Sequence, residues 1–213
     1  MDPYSVHAVR GAYDTVADDY VDAFGDDLRR LPLDRHVLDA AVTAAPGDGW
    51  VLEAGCGPAP AAAHLADRAQ RMLGADLSGE MLRLAVERTT GLRAMQADVR
   101  RLPLRDGCCR LVVAHYSLQH VPRDQLGLAL GELRRVLAAD GLLTVATHLG
   151  DGDLHMDEFL GHRIDTMAGA FHDRRSLLDL LATAGFALED EWQRDPLPHE
   201  YDSRRLYLLA RRG

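Results

Sequence analysis

The sequence contains no lysine and no asparagine, and Ile164 is its only isoleucine. All 24 basic residues are therefore arginines. Without lysine the chain cannot form a Schiff base through a side-chain amine, and it cannot build the lysine-containing phosphate loop of the P-loop nucleotide hydrolases. Both kinds of chemistry are excluded before any motif is considered.

Cysteine is also scarce, since the chain has only Cys56, Cys108 and Cys109. An odd number with two adjacent residues fits neither a disulfide framework nor a zinc-ligand spacing, so we expect reduced thiols. No stretch approaches the roughly 18 apolar residues of a membrane span. The opening MDPYSVHAVR lacks the apolar region of a signal peptide. We expect a cytoplasmic protein with no membrane partner.

Acidic residues outnumber basic ones, since 33 acidic and 24 basic residues give a net charge of −9. Binding to nucleic acid needs clustered arginine and lysine on one face, so an acidic chain disfavours a nucleic-acid partner. The 213 residues, of which 47% are hydrophobic, are enough for one α/β domain with a sizeable core.

Apolar strand patterns alternate with helical patterns along most of the chain. Residues 1–48 read as helices, and residues 149–171 have no clear period and read as an insertion. The spacing of about 20–30 residues between strands predicts right-handed crossovers and a mostly parallel sheet covered on both faces. We expect a single domain over residues 1–213. Strands are predicted at 49–55, 71–77, 92–98, 111–116 and 141–148, followed by a pair near the C-terminus.

The stretch VLEAGCGPAP, residues 51–60, opens like a dinucleotide fingerprint but ends differently. Gly55 and Gly57 lack a Cβ, which lets the backbone approach a ligand closely. Asp76 follows Gly55 by 21 residues at a predicted strand end, where a carboxylate suits the hydroxyls of a ribose. Pro60 stands where dinucleotide-binding enzymes have a third glycine and offers no N–H to a phosphate. The pattern therefore indicates a nucleoside ligand without a pyrophosphate.

Several motifs in order resemble those of class I S-adenosylmethionine-dependent methyltransferases, and in particular the small branch similar to ubiquinone/menaquinone-biosynthesis methyltransferases. The quoted segments are VLEAGCG, LGADLSGEML, ADVRRLP, LVVAHYSLQHV, LGELRRVLAADGLLTV and the N-terminal YDTVADDY. The resemblance implies a Rossmann-like three-layer α/β sandwich with a seven-stranded, mostly parallel sheet and an antiparallel last strand. It also implies a helical lid in residues 1–48 and a substrate-side insertion at 149–171.

The resemblance further implies S-adenosyl-L-methionine as cofactor and a set of residues that contact it. Asp76 would bind the ribose, Asp98 would face the adenine, and Tyr13 and Tyr20 would close over the methionine end. The implied cofactor residues are Tyr13, Tyr20, Glu53, Gly55, Cys56, Gly57, Asp76, Leu77, Met81, Asp98, Val99, Ala114 and His115. No metal is expected, because the polar stretch at 148–155 matches no recognised ligand spacing.

Three histidines are the candidate catalytic groups. His115 and His120 flank the end of the fourth strand, and His148 ends the fifth. Histidine is the natural base near neutral pH, but each of the three can equally serve as packing or pocket lining. Glu200 and Tyr201 lie between the last two strands, where the chain either reaches the pocket or forms a plain turn, and the turn is the favoured interpretation.

Four functions remain open from the sequence. The first is methyl transfer to an oxygen or nitrogen of a small molecule, in a setting such as secondary metabolism. The second is a non-methylating step such as cyclisation by an S-adenosylmethionine-binding enzyme of the same fold. The third is an NAD-dependent oxidoreductase, which Pro60 disfavours, and the fourth is a non-catalytic binding module. A small-molecule substrate is expected, and a homodimer is left open.

Overall fold

A computed structural model describes residues 2–213 and contains six α-helices and nine β-strands in that range. The helices are α1 (Val6–Phe24), α2 (Pro32–Ala44), α3 (Pro60–Leu65), α4 (Gly79–Arg88), α5 (Leu126–Val136) and α6 (Arg174–Thr183). The strands are β1 (Trp50–Ala54), β2 (Met72–Asp76), β3 (Arg93–Gln96), β4 (Cys109–His115), β5 (Leu137–His148), β6 (Asp153–Phe159), β7 (His162–Ala170), β8 (Phe186–Arg194) and β9 (Arg205–Arg212). Short 3₁₀ turns follow α1 and β4.

Seven strands form one sheet in the order β3-β2-β1-β4-β5-β9-β8. The first five run parallel, whereas β9 pairs antiparallel with both β5 and β8. The predicted seven-stranded sheet with an antiparallel last strand is therefore confirmed. The chain reverses direction across the sheet between β1 and β4, which makes the carboxyl ends of these two strands the expected ligand site.

Helices cover both faces of the sheet and complete the three layers. On one face, α5 and α6 bury residues such as Leu130 and Leu181 against β4 and β5. On the other face, α2, α3 and α4 bury Leu38, Leu65 and Ala85 against β1, β2 and β4. The central strands are apolar on both sides because both sides are covered.

The N-terminal segment divides into two parts with different positions. Helix α1, capped by Ser5 at its N-terminus, packs against β7 and α4 over the carboxyl edge of the sheet. Helix α2 begins at Pro32 and packs against β5 and β9 instead. Helix α1 thus lies over the edge where a ligand is expected, and the first turns of α2 lie beside it.

Residues 149–171 contain a two-stranded antiparallel hairpin, β6 and β7, although the sequence predicted no regular structure there. A register shift between Met156 and Glu158 breaks the alternation of apolar and polar residues, which hid the strand pattern. Val9 and Ala12 of α1 pack against Met167 of the hairpin. The hairpin and α1 thus form one layer above the sheet.

Candidate cofactor and acceptor site

A cavity of about 670 Å³ lies at the carboxyl edge of the sheet, beneath α1 and the hairpin. This volume falls in the range of small-molecule sites. All but one of the sequence-predicted site residues line it. They are Tyr13, Tyr20, Glu53, Gly55, Cys56, Gly57, Asp76, Leu77, Met81, Asp98, Val99, His115, His120 and His148. Ala114 is the exception, because it is fully buried in the core and its side chain is too short to reach the cavity.

The loop after β1 is shaped for close approach of a ligand. Gly55 and Gly57 both have positive φ, at +68° and +50°. A Cβ added at Gly55 would lie 2.2 Å from the Cβ of Ser117. Ala59 also adopts a left-handed conformation, with φ +59°, so an alanine at this position of the loop is held in strain.

Asp76 is fixed at the end of β2 by two backbone N–H groups. Gly57 donates to its Oδ2 at 2.7 Å, and Ser78 donates to its Oδ1 at 2.9 Å. Burial raises the pKa of this carboxyl, against the effect of these hydrogen bonds. Each carboxylate oxygen keeps a further lone pair, so Asp76 can still accept the two hydroxyls of a ribose.

Glu53 lies beneath the same loop and stabilises the first turn of α3. Its carboxylate accepts hydrogen bonds from the backbone N–H groups of Ala61 at 3.2 Å and Ala62 at 2.7 Å. Burial raises the pKa of Glu53 to about 8 although these hydrogen bonds lower it. The first turn of α3 therefore already has its acceptor, and Pro60 has no N–H to offer. A pyrophosphate would have to displace Glu53 to bind this helix, which disfavours a dinucleotide.

Asp98 lies at the β3 side of the cavity and is held by Arg100. The guanidinium Nε donates to both carboxylate oxygens, at 2.9 and 3.0 Å. Burial raises the pKa of Asp98, but the side-chain and backbone hydrogen bonds from Arg100 outweigh it and leave that pKa below its ordinary value. Asp98 is thus an ionised group at the position predicted for the adenine contact.

Helix α1 is joined to the sheet through Tyr13 and His120. The His120 Nδ1 lies 2.9 Å from the carbonyl oxygen of Ala168, so Nδ1 carries the proton and Nε2 accepts from the Tyr13 hydroxyl at 2.8 Å. His120 therefore connects α1, the loop after β4 and the hairpin. Burial lowers its pKa, and neither ring nitrogen is free for proton transfer while this arrangement holds.

The other two histidines each use one ring nitrogen in a hydrogen bond to a hydroxyl group. His115 is buried, contacts the hydroxyl of Thr144 through Nε2 at 3.1 Å, and has its pKa lowered by burial to about 3. His148 contacts the hydroxyl of Ser203 through Nδ1 at 2.7 Å, and its Nε2 has no hydrogen-bond partner within residues 2–213. Burial and then the nearby Arg205 lower the pKa of His148 to about 4. Each of His115 and His148 thus has one ring nitrogen without a hydrogen-bond partner in residues 2–213, whereas both ring nitrogens of His120 are bonded.

The β5 side of the cavity has aromatic walls that the sequence did not reveal. Tyr116 adopts φ +53° directly after β4, and its ring lies 5.4 Å from that of His148. Phe171 and Tyr201 stack with centroids 5.8 Å apart, and both meet the His148 ring edge-on. Glu200 and Tyr201 both line the cavity, which matches the less favoured of the two sequence interpretations rather than the plain turn.

A buried polar cluster closes this end of the cavity. The hydroxyls of Tyr116 and Tyr207 both donate to Asp34, at 3.1 and 2.7 Å. Arg194 donates to Tyr207 and forms ion pairs with Asp34 and Glu200. Asp34 lies in α2, far from these residues in sequence, and no local pattern marks it.

Three residues that line the cavity carry a buried polar atom without a partner among the described residues. The atoms are the hydroxyl oxygen of Tyr4, the Oγ of Ser117 and the Oε1 of Gln119. Buried polar atoms are rarely left unpaired, so their presence around the cavity agrees with a polar ligand. The glycine cradle, Asp76 and these atoms together fit S-adenosylmethionine. No group of three or more metal-binding side chains is present in residues 2–213.

Comparison with known proteins agrees with the geometry. Residues 51–141 match the family model of a methyltransferase domain. The malonyl-[acyl-carrier protein] O-methyltransferase of Pectobacterium atrosepticum is 32% identical over 151 residues, which cover 71% of this chain and 56% of the relative. The chain thus spans about half the length of the curated relatives it matches.

Two solved structures share the fold. An S-adenosylmethionine-dependent methyltransferase from Methanosarcina mazei has a TM-score of 0.70 at 14% identity, covering 80% of this chain and 95% of that one. The [4+2]-cyclase SpnF has a TM-score of 0.63 at 17% identity, covering 84% and 80%.

Residues 51–141 therefore carry a methyltransferase domain, and the chain has the fold that S-adenosylmethionine-dependent methyltransferases share. The matches do not single out the quinone-biosynthesis branch. No helix within residues 2–213 has the length and apolar character needed to cross a bilayer.

Proposed function

We propose that the chain transfers the methyl group of S-adenosylmethionine to an oxygen or nitrogen of a small molecule. The observation that carries this proposal is the position of Asp76. Its carboxylate is held by the N–H of Gly57 and the N–H of Ser78, at the switch point of a parallel sheet and beneath a loop that only glycine fits at Gly55. This is the arrangement that a nucleoside cofactor requires.

The order of the strands supports an assignment of the two ends of the cavity. Asp98 follows β3 and Asp76 ends β2, so the adenosine half would lie over β3, β2 and β1. The orphaned Oγ of Ser117 and Oε1 of Gln119 lie beyond β4, where the methionine half would end. The room over β4 and β5, next to His148, is left for the acceptor.

The sulfonium of the bound cofactor supplies an activated methyl group, and the residues of the chain then have three tasks. Asp76 and the glycine loop orient the donor. Helix α1, held by the Tyr13–His120 hydrogen bond, excludes water. The walls around His148 place the acceptor atom in line, and such positioning can lower a barrier by about 7–11 kcal/mol.

Several of the similar curated proteins are named O-methyltransferases, which favours oxygen as the acceptor atom. Their printed substrate is a malonyl-[acyl-carrier protein]. For this chain we keep the broader class of small acyl or aromatic acceptors and a setting such as secondary metabolism. The cyclase SpnF shows that this fold also hosts a non-methylating reaction.

Transfer of label from methyl-labelled S-adenosylmethionine tests the proposal. The purified chain is incubated with a panel of phenols, carboxylic acids and amines, and products are separated and counted. Label in a small-molecule product that Asp76→Ala abolishes supports methyl transfer. Conversion of a compound to a product without label supports the cyclase alternative instead. If no compound of any acceptor class is converted, both proposals are contradicted.

A further inference from the structure

Arg205 is a buried cation at the acceptor end of the cavity. Its side chain is 4% exposed, and it follows β8 and its loop at the first position of β9, opposite His148 in the sheet register. Burial of a charge is costly unless the charge is paired and hydrogen-bonded. Any N–H group of Arg205 that the protein leaves without a hydrogen-bond partner is therefore available to a ligand.

The guanidinium of Arg205 is only partly satisfied by the protein. Its Nη1 donates to the carbonyl and Oγ of Ser203, and its Nη2 donates to the carbonyl of Tyr201 at 3.1 Å. These bonds use three of the five N–H groups of an arginine. The nearest carboxylate oxygen, on Glu200, is 3.8 Å away and too distant for a hydrogen bond.

The carboxylates of this cluster are directed to a different arginine. Glu200 accepts from Arg194 at 2.7 Å, and Asp34 lies 3.4 Å from the same guanidinium. Both anions thus hydrogen-bond or pair closely with Arg194, and Glu200 forms only a longer ion pair with Arg205 at 3.8 Å. Two N–H groups of Arg205 therefore have no hydrogen-bond partner within residues 2–213. Because Arg205 lines the cavity, a ligand can supply that partner.

His148 presents a second donor to the same space. Arg205 donates to the Oγ of Ser203 at 2.7 Å, which leaves the Ser203 hydroxyl hydrogen free to donate to Nδ1 of His148, also at 2.7 Å. This chain of hydrogen bonds is cooperative in one direction. It makes Nδ1 an acceptor and puts the proton on Nε2, the nitrogen that faces the cavity.

We propose that Arg205 and the Nε2–H of His148 bind a carboxylate of the acceptor, and that this carboxylate is the group methylated. The proposal rests on the proposed function, because it names the acceptor class of that same site. One oxygen of the carboxylate is held by the two donors, and the other faces the methyl group.

The reaction balances without a base. A carboxylate oxygen gives an electron pair to the methyl carbon and forms the C–O bond as the S–C bond breaks, and the electron pair of that bond stays on sulfur. The carboxylate becomes a neutral methyl ester, the sulfonium becomes a neutral thioether, and no proton is released. A carboxylic acid is ionised at neutral pH, which agrees with three histidines that are buried, committed or weakly basic.

Calorimetric titration of matched acids and amides tests the proposal without turnover. The chain is saturated with S-adenosylhomocysteine and titrated with benzoate, hexanoate and monoethyl malonate, and with the neutral primary amide of each. We expect at least one acid to bind at least tenfold more tightly than its amide. Arg205→Gln should remove that preference, whereas Arg204→Gln should keep it, because Arg204 is exposed and pairs only with Asp195.

A second variant, His148→Phe, tests the proposal independently in case Arg205→Gln does not fold. His148→Phe keeps an aromatic ring among Tyr116, Phe171 and Tyr201 but lacks the donor, and it should weaken acid binding more than amide binding. Binding of amides as tightly as acids, binding of no acid in the panel, or an acid preference that survives both variants would overturn the proposal. If S-adenosylhomocysteine itself does not bind, the proposed function fails instead, so the two failures are distinguishable.

Discussion

Replacement of Gly55 by alanine tests whether the glycine loop is shaped as described. A Cβ at this position would lie 2.2 Å from the Cβ of Ser117, 3.0 Å from its Oγ and 3.5 Å from its Cα. The backbone φ of +68° is also strained for alanine. The left-handed conformation costs about 1–2 kcal/mol, and overpacking adds about 1–3 kcal/mol. We expect Gly55→Ala to lower the free energy of unfolding by about 2–5 kcal/mol.

Gly57→Ala is the matched control for this prediction. Gly57 has φ +50°, but a Cβ there would meet nothing within 4 Å. It should therefore cost only about 1–2 kcal/mol. Denaturant unfolding of both variants gives the difference, and the double variant Gly55→Ala/Ser117→Gly should recover the steric part. Equal losses at Gly55 and Gly57, or no recovery in the double variant, would refute the reasoning.

Three further predictions concern other buried groups. Tyr13→Phe removes the hydroxyl that donates to Nε2 of His120, at a cost of about 1–3 kcal/mol, and should speed hydrogen exchange in α1. Tyr20→Phe should not, because the Tyr20 hydroxyl makes no hydrogen bond within residues 2–213. Equal exchange in both variants would contradict the contact between α1 and His120. Glu53→Ala should destabilise more than Glu53→Gln in denaturant unfolding, because glutamine still offers an acceptor to α3; the reverse order would argue against that contact. Burial lowers the pKa of His172 to about 4, so protonation of this ring favours the unfolded chain. The free energy of unfolding should therefore fall by about 2 kcal/mol between pH 7 and pH 5 on account of His172. His172→Gln should remove this contribution to the pH dependence, and an unchanged pH dependence in the variant would contradict it.

The sequence predicted the sheet because its signals are local. Apolar runs and helix caps such as Ser78 belong to single elements, and the spacings from Gly55 to Asp76 and from Asp76 to Asp98 each cover one strand-helix repeat. The parallel crossovers then leave few possible topologies. The hairpin at 153–170 was missed because a register shift interrupts its alternation.

The acceptor end of the site was much less predictable. Asp34, Tyr207 and Arg194 meet through contacts between residues separated by up to 173 positions, and no spacing rule connects them. Arg205 reads in sequence as one of two adjacent arginines before a strand, and only the fold buries one and exposes the other. The predicted roles of the individual site residues remain predictions.

The central claim is that this cavity binds S-adenosylmethionine through Asp76, and calorimetric titration with S-adenosylhomocysteine tests it most directly. A hydrogen bond to a charged group contributes about 1.5–3 kcal/mol, so we expect micromolar binding that weakens at least about tenfold in Asp76→Ala. Asp106→Ala, which removes an exposed carboxylate paired with Arg135, should bind like the wild type. No binding by the wild type, or equal binding by Asp76→Ala, would contradict the account.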